Sequence, residues 1–181
     1  MHLSLCSDPR VHRIAMLTIV LVSGCAGGGS GDTTASITSM GANATHSHYS
    51  GDAALGDWSG AGPQAGTLVG VSTNLDQVLE LVLTGPTPTQ GATYSLVSDS
   101  GSFLKYGDTA DSKATRVWLS AAGTATIDAI TGSTTDQTKT LRVSFANVTA
   151  QPAANAYANT ATGNLTLQGS ALIEGVSLPV Q

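Results

Sequence analysis

At 181 residues, 41% of them apolar and only 10% charged against the ~25% of an average soluble domain, the chain has room for one domain of ordinary size. Twelve acids against seven Lys and Arg give a formal charge of −5, and the few bases form no cluster. Nucleic acid is excluded as a partner, because binding it needs a basic footprint that displaces phosphate counterions.

The chain opens with a basic stretch holding Arg10, His12 and Arg13, with Asp8 its single acid. Residues 14–22, IAMLTIVLV, follow as an apolar run broken by one threonine. Crossing the hydrocarbon core takes roughly 20 apolar residues, so this run is too short to span. A basic n-region, an apolar h-region of roughly 7–15 residues and small residues at its end mark a secretory signal instead. An ordinary buried helix is the alternative, but nothing amphipathic surrounds the run and glycines at 27–29 end it.

Val22-Ser23-Gly24-Cys25 resembles the lipobox of bacterial lipoproteins, in which an aliphatic residue and two small ones precede an obligatory cysteine. The resemblance implies that the Cys25 thiol takes up a diacylglyceryl group and that a signal peptidase cuts between Gly24 and Cys25. It also implies export to the cell envelope, with the membrane as partner through lipidated Cys25. Ala26 stands where an aspartate would favour the inner membrane of a Gram-negative cell, which implies passage to the outer membrane. Two acyl chains hold stably, each buried methylene contributing about 0.8 kcal/mol. A disulfide from Cys25 to Cys6 is the competing use of the thiol, and cleavage would remove Cys6.

Removing Asp8, Arg10 and Arg13 with the leader leaves eleven acids and five bases, a formal −6. From 26 to about 50 small and polar residues dominate and neither apolar period persists, so a flexible tether is expected there, with an r.m.s. span of roughly 30 Å. The organisation expected is therefore a signal peptide over 1–24, a lipidated cysteine and tether over 25–51, and one domain over 52–181.

Beyond Gly66 the apolar period becomes two. Leu141, Val143 and Phe145 alternate with Arg142 and Ser144; Ala125, Ile127 and Ala129 alternate with Thr124, Thr126 and Asp128; Leu165 and Leu167 alternate with Thr166 and Gln168. This marks strands with one buried and one wet face. Further strands are expected over 67–72, 78–83, 92–97, 103–106 and 116–121, rich in Thr, Val and Leu. Turn formers separate them at 85–88, 99–101, 106–108 and 131–133. Eight or nine short antiparallel strands predict an all-β sandwich or small barrel. With Phe103 and Phe145 the only phenylalanines, an aliphatic core is expected. The stretches 117–127 and 161–167 resemble small secreted bacterial β domains to which no activity attaches.

Chemistry-bearing residues are sparse. Residues 49–181 contain no histidine and no cysteine, so the expected domain lacks a base for a Ser-His-Asp or Cys-His site and lacks the usual zinc ligands. No phosphate loop or dinucleotide fingerprint is present, and no cofactor is expected. His46 and His48, two apart on an extended segment, are candidate transition-metal ligands, or else two histidines of a polar linker. Asp108 and Asp111 are candidate calcium ligands, but the spacing is not that of an EF-hand and a solvated turn is the plainer reading. Trp118 shares a strand face with Arg116 and Ser120. That face either presents an indole and a guanidinium to a sugar ring or protein partner, or packs into the core, the usual fate in a two-layer fold. Trp58 carries the same ambiguity. The function expected is a non-enzymatic envelope lipoprotein whose β domain binds or scaffolds another envelope protein or glycan. The competing reading is a carbohydrate-binding or hydrolytic domain using Trp118, Trp58 and nearby carboxylates.

Overall fold

Alternating apolar and polar side chains leave the chain little choice but extended structure, and the computed structural model is all-β. It describes residues 32–60, 65–111, 114–132, 137–154, 156 and 158–179. The strands are β1 (Thr33–Met40), β2 (His48–Gly51), β3 (Ala54–Gly60), β4 (Gly66–Thr73), β5 (Gln77–Gly85), β6 (Thr93–Ser95), β7 (Phe103–Asp111), β8 (Ala114–Thr131), β9 (Lys139–Pro152) and β10 (Asn164–Val176). A 3-10 turn, Ser98–Ser100, lies between β6 and β7.

Hydrogen bonding runs antiparallel from β3 through β4, β5, β7, β8 and β9 to β10. β10 then returns to β3 by a short parallel seam, Ile173↔Ala54 and Glu174↔Leu55. β1 and β2 branch from β10, and β6 branches from β8. The result is one large, mainly antiparallel sheet folded over a common core in the manner of a β-sandwich, and not a clean barrel.

Two strands arise where a tether was expected. Within residues 33–51 β1 pairs with β10 from Thr34↔Ser170 to Met40↔Asn164, and β2 pairs with β1. Small polar residues form strands here because β10 supplies the ladder and only every second side chain needs to be apolar. Ala35, Ile37 and Tyr49 fill those inward positions and are buried. The domain therefore takes in residues 33–51 as well as those from 52 onward.

Strand lengths also depart from expectation. The two short strands expected over 116–121 and 124–129 are one strand, β8, bent by register shifts near Ala122 and Gly123. Such bulges add twist and bend, which lets one strand serve both layers. Gly123 has φ 129°, and a Cβ there would lie 2.6 Å from the Val148 backbone, so glycine is required at the bend. The first half of β8 pairs with β7 and the second with β6. The turn expected at 106–108 lies inside β7.

The core is mostly aliphatic, as expected, with five aromatic rings set into it. Tyr49, Trp58, Tyr106, Trp118 and Phe145 are buried alongside Leu68, Leu81, Leu104, Ile127 and Leu165. Glu80 faces away from the core and is nevertheless nearly enclosed, its Oε2 held 2.6 Å from Lys105 Nζ on the neighbouring strand.

Candidate functional site

Trp118 has no exposed surface. Its ring stacks on Tyr106 directly across the β7–β8 ladder, with centroids 5.9 Å apart and planes 27° from parallel. Its Nε1 donates to the Gly163 carbonyl at 3.1 Å. Trp58 is buried as well, its indole lying over Gly60 and Gly66. Neither indole is a stacking platform for a sugar, which corrects the ligand-binding expectation for both. Two layers around a core of this size leave no room for a wet indole on the inner face. Arg116 is only half-buried, and its Nε and Nη1 are enclosed without a hydrogen-bond partner among the described residues.

At that same end of the sheet the structure gathers residues that the sequence reading kept apart. Asp108 pairs across the ladder with Arg116 and has no exposed surface. The loop from β1 to β2 folds over it. The Thr45 backbone N–H donates to Asp108 Oδ2 at 2.7 Å, and the Thr45 hydroxyl donates to the same carboxylate at 2.8 and 3.0 Å. His46 Nδ1 lies 3.0 Å from the Thr45 hydroxyl and 3.6 Å from Asp108 Oδ1. So a histidine does reach the folded body, contrary to the expectation drawn from residues 49–181, because residues 33–51 belong to it.

The order of contacts is carboxylate, threonine hydroxyl, imidazole. A nucleophile activated by general base would have the imidazole in the middle. The hydroxyl proton is directed to the carboxylate, so the arrangement fastens the loop to β7. The four candidate metal ligands do not converge either. His46 approaches Asp108, His48 is exposed, and the side chain of Asp111 lies outside the described set. Among the described residues no group of three or more His, Cys, Asp or Glu is placed to hold a metal.

Behind the loop runs a polar chain linking β2, β4, β5 and β7. Gln77 Nε2 donates to the Tyr106 hydroxyl at 2.7 Å and to the His48 carbonyl at 3.0 Å. The Tyr49 hydroxyl donates to Ser72 Oγ at 2.8 Å, and the Ser72 hydroxyl donates to the Asp52 carbonyl at 2.6 Å. Burial is the main cause that pushes the phenols of Tyr49 and Tyr106 up to about 12. A buried phenolate would lack the water that stabilises its charge.

A concave region elsewhere on the sheet was not foreseen. A cleft of about 540 Å³ opens between the end of β5, the edge strand β6 and the 3-10 turn. Its lining comes from residues 84–102, which the sequence pattern assigns to a strand over 92–97 and turns at 85–88 and 99–101. The only advance signal was hydroxyl density on both sides of Gly85-Pro86, which does not distinguish a solvated loop from a wall.

Gly24 and Cys25 lie outside the described residues, as does the whole expected leader. Among the described residues no helix is long and apolar enough to cross a membrane. No family model matches the chain, and no curated protein or solved structure is significantly similar to it.

Proposed function

We propose that the protein is an exported lipoprotein of the cell envelope, held to a membrane by diacylated Cys25, whose β domain binds another envelope component. What carries this is the run Val22-Ser23-Gly24-Cys25 at the end of an apolar h-region, directly before glycine and serine. The start of β1 at Thr33 bears on the geometry such an anchor would impose. Only residues 26–32 separate the lipid-bearing cysteine from the first strand, and seven residues reach at most about 25 Å. The domain would then ride close to the headgroups, and a ligand site would have to open sideways or away from the lipid.

The test is metabolic labelling with palmitate in a bacterial host, beside a Cys25→Ser variant. The expected outcome is label on the wild type, none on the variant, and transfer of the variant from the membrane to the soluble fraction. A mature wild-type chain that is unlabelled, or that begins at a residue other than 25, overturns the proposal.

A further inference from the structure

We infer that the cleft between β5 and β6 is a binding site for a neutral saccharide. This rests on the envelope-binding role proposed above and names the class of ligand. The cleft's size, about 540 Å³, falls in the range typical of small-molecule sites, roughly 300–1,000 Å³. Seven of its ten lining residues are threonine or serine, and none is charged. A phosphate, a carboxylate or a metal ion would find no opposing charge there. A hydroxyl both donates and accepts, which is the pattern that the vicinal hydroxyls of a sugar present in return.

The walls are braced. Thr84 Oγ1 donates to the Gly101 carbonyl at 2.9 Å, Ser102 Oγ accepts from the Thr84 backbone N–H at 2.8 Å, and Ser100 Oγ donates to the Val97 carbonyl at 2.7 Å. These bonds hold the two sides together before any ligand arrives, which lowers the entropy cost of binding. Thr89, Ser95 and Tyr94 line the same cleft with hydroxyls that have no side-chain hydrogen bond among the described residues. The half-buried Tyr94 ring rests against Gly85 and supplies, with the threonine methyls, an apolar surface for the C–H face of a pyranose. A purely aliphatic ligand would leave the hydroxyls desolvated and unpaired, at a cost.

An extended peptide added to the free edge of β6 is the competing occupant. β6 ends the order of paired strands, so one edge is open, but it is only three residues long. Its Ser95 carbonyl is already taken by Ser100 Oγ at 3.1 Å. Strand addition draws its affinity from a run of main-chain bonds, and this edge does not offer one.

The experiment is calorimetric titration of the full chain, kept in a polyoxyethylene detergent whose headgroup is not a sugar. The probes are cellobiose, N,N′-diacetylchitobiose, a galacturonate disaccharide and an extended alanine-threonine pentapeptide. Binding of at least one neutral disaccharide is expected, with no binding of the acidic one or the peptide. The exposed changes Thr89→Val and Ser95→Ala together should weaken it by about tenfold, and Tyr94→Phe by a smaller factor. The inference is overturned by absence of heat with both neutral sugars at about 10 mM, well above a millimolar Kd. Preference for the peptide, or unchanged sugar affinity in the Thr89/Ser95 double variant, overturns it equally. A chain that is palmitate-labelled but binds no sugar loses only the ligand class; one that binds sugar without label loses only the anchor.

Discussion

Burying a carboxylate is costly unless hydrogen bonds replace its water, and Asp108 meets that condition by accepting from both the backbone and the hydroxyl of Thr45. Thr45→Val and Asp108→Ala are each expected to lower the unfolding free energy by about 1–3 kcal/mol. The double variant should lose less than the sum, with a coupling of about 0.5–3 kcal/mol. Strictly additive losses in urea titrations would show that the two residues do not hold each other. Tyr49 and Tyr106 make a second statement at this scale. Each phenol is neutral below its pKa, which burial pushes up to about 12 from the ordinary 10. Their contribution to stability is therefore complete below pH 10 and is lost as pH climbs from 10 through 12. That rise corresponds to something on the order of 2–3 kcal/mol for each ring. Phenolate absorbance should show part of the tyrosine titrating only with unfolding near pH 12, whereas ionisation of every ring near pH 10 would contradict the burial.

Among the strands, the contact between β1 and β10 is the one that redraws the domain, and it depends on a missing side chain. A Cβ at Gly169 would run into the Thr34 carbonyl and lie 2.7 Å from Ala35 Cα, both backbone atoms of β1. No rotamer change relieves a clash with backbone. Gly169→Ala should push β1 from the ladder and cost about 1–3 kcal/mol, the usual toll of overpacking. Faster hydrogen exchange confined to β1 and β2 is the expected signature, and unchanged exchange there would show that β1 is not seated as described. The bend in β8 has the same origin in an absent Cβ, at Gly123 against Val148. Both glycines sit at irregular register, where two strands cross more closely than a regular ladder allows.

For the molecule as a whole, the question is where folding begins along the chain. Ala35, Ile37 and Tyr49 contribute to the same core as Leu68, Leu104 and Trp118. Deleting β1 and β2 would strip Ile37 and Tyr49 from it, at roughly 1.5–3 kcal/mol for each large side chain. It would also bare one edge of β10 along seven residue pairs, and an exposed edge invites aggregation. A chain starting at Asp32 should thus melt cooperatively, and one starting at Asp52 should be unfolded or insoluble. Equal melting of both by circular dichroism would return residues 33–51 to the status of a tether. The strands that bind this body together are the long ones, β8, β9 and β10, each shared between partners along its length.

Alternation of apolar and polar residues is a local property, so the all-β class was legible in the amino-acid order, together with the strands around Leu141–Phe145 and Leu165–Leu167. The outward turn of Glu80 was legible too, since an acid between Leu79 and Leu81 takes the face opposite them. Depth was not. Arg116 and Trp118 share one face by alternation alone, but only the β7–β8 register puts Asp108 beside them, and its enclosure comes from the β1–β2 loop, more than sixty residues away in the chain. Partners decide likewise for Thr33–Met40: its composition favours neither strand nor coil, and only the edge of β10 makes it a strand. The hydroxyl-lined cleft exists because β5 and β6, which never pair, are held side by side through β7 and β8. Chain order sets which side chains alternate; which of them are enclosed follows from long-range pairing, because burial is a property of the surfaces that meet and not of either surface alone.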